Sequence, residues 1–206
     1  MLVGVDFDNT IVRCDELFHR AAVELGLILT AVAVSKAEVR QQLRESGRED
    51  AWTELQGYVY GVLIRDAPLF SGVREFFVRC RERGVGVCII SHKTRHPVLG
   101  RAYDLHRAAH EWLERQGFYA ARGIGLARAR VFFEPTKRDK LQRIARVACS
   151  HFVDDLPEFL TEPEFPRGVE RILFDPNDEY RDDGHFQRVT SWAEIERLLV
   201  GATSPG

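Results

Sequence analysis

Five short apolar segments alternate with helical patterns along the chain. Each has the aliphatic or aromatic content of a buried strand, and a polar residue follows at its carboxyl end. Buried strands that alternate with helices predict an α/β fold with a mostly parallel sheet. The five predicted strands are residues 2–5, 85–90, 131–133, 151–153 and 171–174.

Residues 11–68, which lie in the longest interval between two predicted strands, have a helical pattern throughout. Within it, Ser35 and Glu38 form a capping box before the apolar positions Val39 and Leu43. The interval is too long for a simple crossover, so it predicts a small all-helical cap inserted after the first strand. A helical subdomain that only extends the core would show the same pattern. The predicted domains are a cap at residues 14–68 and a core at residues 1–13 and 69–206, with residues 201–206 as a frayed tail.

Two carboxylates, Asp6 and Asp8, follow the first strand within the sequence DFDNT. Since side chains alternate along an extended chain, both start on the same side and can share one divalent cation. No His or Cys lies in this stretch, which favours the oxygen-seeking Mg²⁺. Asp6 is the candidate nucleophile, and Asp8 is the candidate general acid and base, with its backbone carbonyl as a further metal ligand. The structural alternative is a polar turn in which Thr10 caps a helix.

The second predicted strand leads into Ser91, His92 and Lys93. Ser91 and the backbone amides after it are candidates to hydrogen-bond a phosphoryl oxygen. His92 and Lys93 lie in a loop dense in donors and cations, so they are candidate substrate contacts. An ordinary turn followed by solvated loop residues would give the same pattern.

Two lysines and a second acidic pair complete the set of charged residues near strand ends. Lys137 and Lys140 lie at the start of a predicted helix, where an ammonium group can neutralise the nucleophile and hold a phosphoryl oxygen. The sequence leaves open which lysine does so. Asp154 and Asp155 follow the fourth strand and supply further oxygen ligands for Mg²⁺. The structural alternative is a helix N-cap, which would explain one of these two aspartates but explains the pair less well.

Composition and charge narrow the class of protein. The chain has 206 residues, 45% of them hydrophobic and 29% charged, enough for one core and a small accessory module. A net charge of −2 gives no overall attraction to nucleic acid or to an anionic membrane. The absence of an apolar run of membrane-spanning length and of a signal-peptide pattern favours the cytoplasm. The four cysteines lack CxxC spacing, which favours reduced thiols over disulfides or a zinc site.

These motifs, in this order, resemble those of the haloacid dehalogenase superfamily, phosphatase branch, over essentially the whole chain. The resemblance implies a three-layer, Rossmann-like core with a mostly parallel five-stranded sheet, Mg²⁺ as cofactor and a helical cap of the type called C1. Dehalogenases of the superfamily lack a carboxylate at the position of Asp8, so its presence favours phosphate-ester hydrolysis. The matched positions are Asp6, Asp8 and Thr10 for the DxDxT motif, Ser91 for the second motif, Lys140 or Lys137 for the third, and Asp154 and Asp155 for the fourth.

The resemblance also implies a function, a Mg²⁺-dependent phosphomonoesterase that forms an aspartyl-phosphate on Asp6 and acts on a small phosphorylated metabolite. Two other functions stay open, a phosphotransferase or phosphomutase that uses the same intermediate and a non-catalytic phosphoacceptor or binding module. The sequence specifies neither the metabolite nor the oligomeric state. The candidate substrate-binding residues are Asn9, Thr10, His92, Lys93 and Lys137.

Overall fold

The computed structural model describes residues 1–181 and 184–201, and the chain divides into two compact units. The sheet unit comprises Met1–Ile11, Leu69–His92 and the chain from Gly117 onward, and the helical unit comprises Val12–Pro68 and Lys93–Gln116. This division differs from the predicted domains, because the sequence pattern assigns residues 93–116 to the core. Of the predicted tail, residues 201–206, all but Gly201 lie outside the described residues.

A sheet of six strands forms the centre of the sheet unit. The strands are β1 (Leu2–Val5), β2 (Gly86–His92), β3 (Val131–Glu134), β4 (His151–Asp154), β5 (Glu170–Phe174) and β6 (Gln187–Val189). Their order is β3-β2-β1-β4-β5-β6, and every neighbouring pair is parallel. The central strand β1 therefore lies between β2 and β4, with Val5 opposite both Ile89 and Val153. The predicted α/β class with a parallel sheet is confirmed.

The sixth strand, β6, is absent from the sequence prediction. Its three residues are exposed Gln187, half-buried Arg188 and buried Val189, so it lacks the length and the apolar content of the other strands. Its pairing with β5 defines it, and beside that ladder the Asp175 N–H donates to the Val189 carbonyl at 2.8 Å. The predicted five-stranded sheet thus gains a short sixth strand at its edge.

Eight α-helices lie among the described residues. No helix in this part of the chain combines the length and the apolar content needed to cross a membrane. Short 3-10 turns occur at Leu63–Asp66 and Arg128–Arg130. The α-helices are α1 (Asp15–Glu24), α2 (Lys36–Glu45), α3 (Glu49–Gly61), α4 (Val73–Glu82), α5 (Leu105–Arg115), α6 (Lys137–Arg146), α7 (Pro157–Leu160) and α8 (Trp192–Val200).

Apolar side chains cover both faces of the sheet. On one face, the ring of Phe152 in β4 lies 5.9 Å from the ring of Phe159 in α7, within a cluster that also contains Leu173. The next residue of β5, Phe174, points to the opposite face and lies 5.8 Å from the ring of Trp192 in α8. Since both faces are buried under helices, the sheet unit has the three layers of a Rossmann-like core.

The helical unit contains α1, α2, α3 and α5. Phe18 of α1 lies against Trp52 and Tyr60 of α3, at ring distances of 5.2 Å and 5.3 Å. Trp112 of α5 is buried, and its indole N–H donates to the Ala67 carbonyl at 2.9 Å. These contacts explain why residues 93–116 belong to the helical unit, although they lie between two strands in sequence.

Candidate active site

Asp6 and Asp154 lie side by side at the carboxyl edge of the sheet. Asp6 follows β1 and Asp154 ends the neighbouring strand β4, and the Asp6 N–H donates to the Val153 carbonyl at 2.9 Å. Their exposed fractions are 5% and 0%. Two buried carboxylates this close need a positively charged partner, because neither is solvated.

Lys140 is that partner. It lies in the first turn of α6 and is 3% exposed, and its Nζ donates to Asp6 Oδ1 and to Asp154 Oδ2, at 2.6 Å in both bonds. The ammonium group also lies over the ring of Phe159, 4.1 Å from its centroid. Lys137, the other candidate, is about half exposed and lies 3.4 Å from Glu162. The structure therefore places Lys140 in the cluster and Lys137 outside it.

Burial and charge act against each other on the pKa values of this cluster. Burial lowers the pKa of Lys140, but the attraction of Asp154 and Asp6 outweighs it and holds the pKa above its ordinary value. Burial raises the pKa of Asp154 to about 6, with Asp6 adding to the rise and Lys140 opposing it. Lys140 consequently remains an ammonium ion at neutral pH and can hold both carboxylates.

Thr10 positions the third carboxylate. Its hydroxyl donates to Asp155 Oδ1 at 3.2 Å, and its carbonyl accepts the indole N–H of Trp192 at 3.1 Å. Thr10 is completely buried. The sequence makes Thr10 a candidate substrate contact. In the structure its hydroxyl instead donates to Asp155.

The three carboxylates suit a hard divalent cation. Asp6, Asp154 and Asp155 each offer an oxygen, and these oxygens lie within 4.8 Å of one another. The donors are all carboxylate oxygens, which Mg²⁺ prefers and soft cations do not. Three ionised carboxylates beside one ammonium group leave two negative charges, which a divalent cation would neutralise. The residues present therefore fit Mg²⁺.

Ser91 and His92 belong to the sheet unit. Ser91 is buried at the carboxyl end of β2, opposite Phe133 of β3. His92 directs its ring at the chain before α6, since its Nε2 lies 3.1 Å from the Pro135 carbonyl oxygen. His92 is nonetheless exposed, as the alternative of a solvated loop also predicts.

The remaining candidate residues are Lys93, Asp8 and Asn9. Lys93 is buried within the helical unit, with its ammonium group 4.1 Å from the centroid of the Tyr60 ring. Asp8 is half-buried, and Asn9 has a left-handed backbone with a φ of 57°. Residues 9–11 form a turn shortly after β1, and the Ile11 N–H donates to the Phe7 carbonyl at 3.0 Å.

Comparison with known proteins identifies the fold. No protein-family profile and no curated protein matches the sequence. Similar solved structures include a HAD hydrolase, family IA, variant 3, from Entamoeba histolytica, with 12% identity, a TM-score of 0.60 and 97% of both chains covered. The HAD-hydrolase YfnB from Bacillus subtilis, bound to magnesium, shows 12% identity and a TM-score of 0.58, with 96% of this chain and 97% of that chain covered. A HAD family hydrolase from Deinococcus radiodurans R1, with bound phosphate and sodium, shows 16% identity and a TM-score of 0.55, with 100% of this chain and 98% of that chain covered.

This chain has the haloacid dehalogenase-like (HAD-like) fold. In it, residues from three of the four predicted motifs meet through direct contacts: Asp6, Lys140 and Asp154 by hydrogen bonds, and Asp155 through Thr10. Ser91, from the second motif, is the last residue but one of β2, the strand next to β1.

Two contacts of the cluster in this HAD-like fold were not predicted from the sequence. Phe159 lies under the Lys140 ammonium group, and the backbone N–H of Leu156 donates to Asp154 Oδ1 at 3.0 Å. Both residues come from the segment just after the acidic pair. Their types are common in any buried turn, so no sequence signal distinguishes them.

Proposed function

We propose that this protein is a Mg²⁺-dependent phosphomonoesterase that hydrolyses a small phosphorylated metabolite through an aspartyl-phosphate on Asp6. The observation that carries the proposal is the Lys140 ammonium group, 2.6 Å from carboxylate oxygens of both Asp6 and Asp154. A positive charge there reduces the repulsion between Asp6 and an incoming phosphate dianion. The same hydrogen bond holds the Asp6 carboxylate in one orientation, which favours in-line attack.

The metal ligands in this proposal are Asp6, Asp154 and Asp155, with the backbone carbonyl of Asp8. Mg²⁺ bound there supplies charge neutralisation for the phosphoryl oxygens and fixes their orientation. Two proteins of the same fold support the assignment, since YfnB is bound to magnesium and the Deinococcus radiodurans hydrolase holds phosphate.

The proposed reaction has two steps, each with a proton transfer at Asp8. First, a carboxylate oxygen of Asp6 attacks phosphorus, the ester P–O bond breaks, and Asp8 gives its proton to the leaving alcohol oxygen. Then Asp8 takes a proton from water, whose oxygen attacks phosphorus and releases Asp6 and inorganic phosphate. Ser91 and Lys140 donate hydrogen bonds to phosphoryl oxygens as negative charge builds on them.

The test of this proposal is an assay of phosphate release, with and without Mg²⁺, from a panel of phosphate esters that includes p-nitrophenyl phosphate. Asp6→Asn and Asp8→Asn should each lower kcat by about a hundredfold or more, with little change in melting temperature. Asp175→Asn is the matched control, since Asp175 is a buried aspartate at the end of β5 whose carboxylate binds Arg188 and nearby backbone amides. It should retain kcat.

Two results would refute the proposal. Near-normal phosphate release by Asp6→Asn would exclude Asp6 as the nucleophile, and no release from any ester by the wild-type protein with Mg²⁺ would exclude the activity. Addition of glycerol separates hydrolysis from phosphoryl transfer. A phosphotransferase would form glycerol phosphate, with less inorganic phosphate released per ester consumed, whereas a hydrolase would release one phosphate for each ester.

A further inference from the structure

The ring of His92, the last residue of β2, connects the strand that contains Ser91 with the start of the helix that carries Lys140. Its Nε2 lies 3.1 Å from the carbonyl oxygen of Pro135, one residue before the N-cap of α6. A carbonyl oxygen can only accept, so Nε2 carries the proton and donates. This fixes one ring nitrogen of His92 as a donor in both the neutral and the protonated state.

The accepting carbonyl lies close to Lys140 along the chain. Thr136 caps α6 with its hydroxyl, which accepts the Asp139 N–H at 3.0 Å, and its carbonyl accepts the Lys140 N–H, also at 3.0 Å. A shift of Pro135 would therefore move the first turn of α6 and the Lys140 side chain with it.

Apolar side chains also join β2 to α6, since Ile90 lies in one buried cluster with Leu141 and Ile144. The Glu134 carboxylate accepts from Arg143 Nε at 2.6 Å, which joins β3 to α6. The bonds of Thr136 stay within α6 and its cap. Strand pairing places His92 opposite Glu134, the last residue of β3. This pairing therefore ends before the chain enters α6. The His92 bond adds a direct link between the last residue of β2 and the chain just before α6.

The electrostatics of His92 agree with a neutral ring at this place. Burial lowers the pKa of His92; the bond to Pro135 and the charge of Asp6 oppose this change, and the charges of Lys140 and Lys137 add to it. The direct contact of the ring is the bond to the Pro135 carbonyl.

We propose that His92 is a positioning residue that holds Lys140 in register with Ser91 through its Nε2–H bond to the Pro135 carbonyl. This role rests on the proposed function, in which Lys140 and Ser91 bind the same phosphoryl group. It differs from the substrate contact that the sequence analysis assigns to His92, because the bonded nitrogen is directed at the backbone before α6.

Three substitutions at one position test this role. Gln places an amide N–H near the position of imidazole Nε2, whereas Asn places it near Nδ1, and Ala removes the donor. We expect His92→Ala and His92→Asn to lower kcat by about ten- to a hundredfold with little change in KM, because a small misplacement of a catalytic group costs this much. His92→Gln should recover most of kcat.

Arg143→Gln is the matched control, because it breaks the contact of α6 with Glu134 and leaves the His92 bond in place. It should lower the melting temperature and leave kcat within about twofold of wild type. A higher KM with unchanged kcat in all three His92 variants would make His92 a substrate contact and overturn the proposal. Equal activity of His92→Gln and His92→Asn would overturn it as well.

Two measurements without substrate keep this test separate from the proposed function. Nitrogen-15 NMR of labelled histidines should show the Nε2–H tautomer for His92, with the signal assigned through its loss in His92→Gln. Hydrogen exchange of the Lys140 amide should be faster in His92→Ala and His92→Asn than in wild type and His92→Gln. If wild type released no phosphate but these results were obtained, the proposed function would fail and the positioning contact would stand. An Nδ1–H tautomer, or unchanged exchange in His92→Ala, would overturn the contact itself.

Discussion

Asp6 and Asp154 share one ammonium group, and both carboxylates are buried. A buried ion pair adds little net stability, but the loss of one partner leaves the other charge unpaired in a medium that solvates it poorly. In this cluster the loss of Lys140 would leave two carboxylates in contact.

Lys140→Met should therefore destabilise the folded protein by about 3–5 kcal/mol, because Met retains the volume of the side chain and removes its charge. Urea denaturation in the absence of divalent cations measures this change. The double variant Lys140→Met with Asp154→Asn should recover part of the loss, since it removes one of the two unpaired charges. Equal stability of Lys140→Met and wild type would contradict the buried ion cluster.

The lowered pKa of His151 predicts that the stability of the protein depends on pH. Burial lowers its pKa below the ordinary value of 6.5; Glu170 opposes the shift, and the positive amino terminus adds to it. Between the folded pKa and 6.5 the unfolded chain binds more protons than the folded chain. The free energy of unfolding contributed by His151 should therefore fall as the pH falls through this window.

Urea denaturation of wild type and His151→Gln between about pH 5 and about pH 7.5 measures this contribution. The stability difference between the two proteins should shift in favour of His151→Gln at the lower pH. A difference that does not change with pH would show that His151 has the same pKa in both states.

Single residues show where prediction from sequence stops. Asp6, Asp154 and Asp155 could be predicted as a converging set, because each follows an apolar strand directly. Lys137 and Lys140 could not be separated, because they are three residues apart on one helix. Which of them meets Asp6 depends on how α6 lies against the sheet.

At the scale of elements, β1 has no room for a side chain at Gly4. A Cβ at this position would lie 2.5 Å from Phe152 Cδ2 and 2.9 Å from Cys149 Sγ. Phe152 belongs to β4 and lies in a cluster of buried side chains, so it cannot move away freely. The close approach of these groups thus requires glycine in the central strand.

Gly4→Ala should destabilise the protein by about 1–3 kcal/mol through overpacking. Gly86→Ala in β2 is the matched control, since its Cβ would lie 3.1 Å from the end of the Leu2 side chain, which can move. Thermal or urea denaturation of both variants compares them. A loss of stability in Gly86→Ala as large as in Gly4→Ala would show that the contacts with Phe152 and Cys149 are not the cause.

Strands with a strong local apolar pattern could be predicted from the sequence. A strand that is defined by its hydrogen bonds with a neighbouring strand could not. The strands that carry Asp6, Ser91 and Asp154 are apolar runs, so their periodicity identifies them. β6 has two polar residues out of three, and it becomes a strand only through its hydrogen bonds with β5.

At the scale of the whole molecule, the acidic cluster links metal binding to folding. A cation that binds the folded state and not the unfolded chain stabilises the protein, by about 2.7 kcal/mol at a hundredfold excess over Kd. Asp6 meets Asp154 and Asp155 only in the folded chain, because it lies far from both in the sequence.

We therefore expect the melting temperature of wild type to rise with Mg²⁺ concentration, measured at constant ionic strength. Asp155→Asn should weaken this rise, because it removes one of the three oxygen donors while Lys140 still holds Asp6 and Asp154. An equal rise in wild type and Asp155→Asn would show that Mg²⁺ binds elsewhere. No rise in either protein would contradict the metal site.

The sequence by itself determined the α/β class, the strands that bear the site and the acidic residues at their ends. These features are local, since an apolar run and the polar residue after it lie next to each other in the chain. Tertiary structure decided that Lys140 meets Asp6, that Thr10 holds Asp155 and that residues 93–116 belong to the helical unit. Lys140 and Asp6 are 134 positions apart, and no local pattern encodes a contact over that separation.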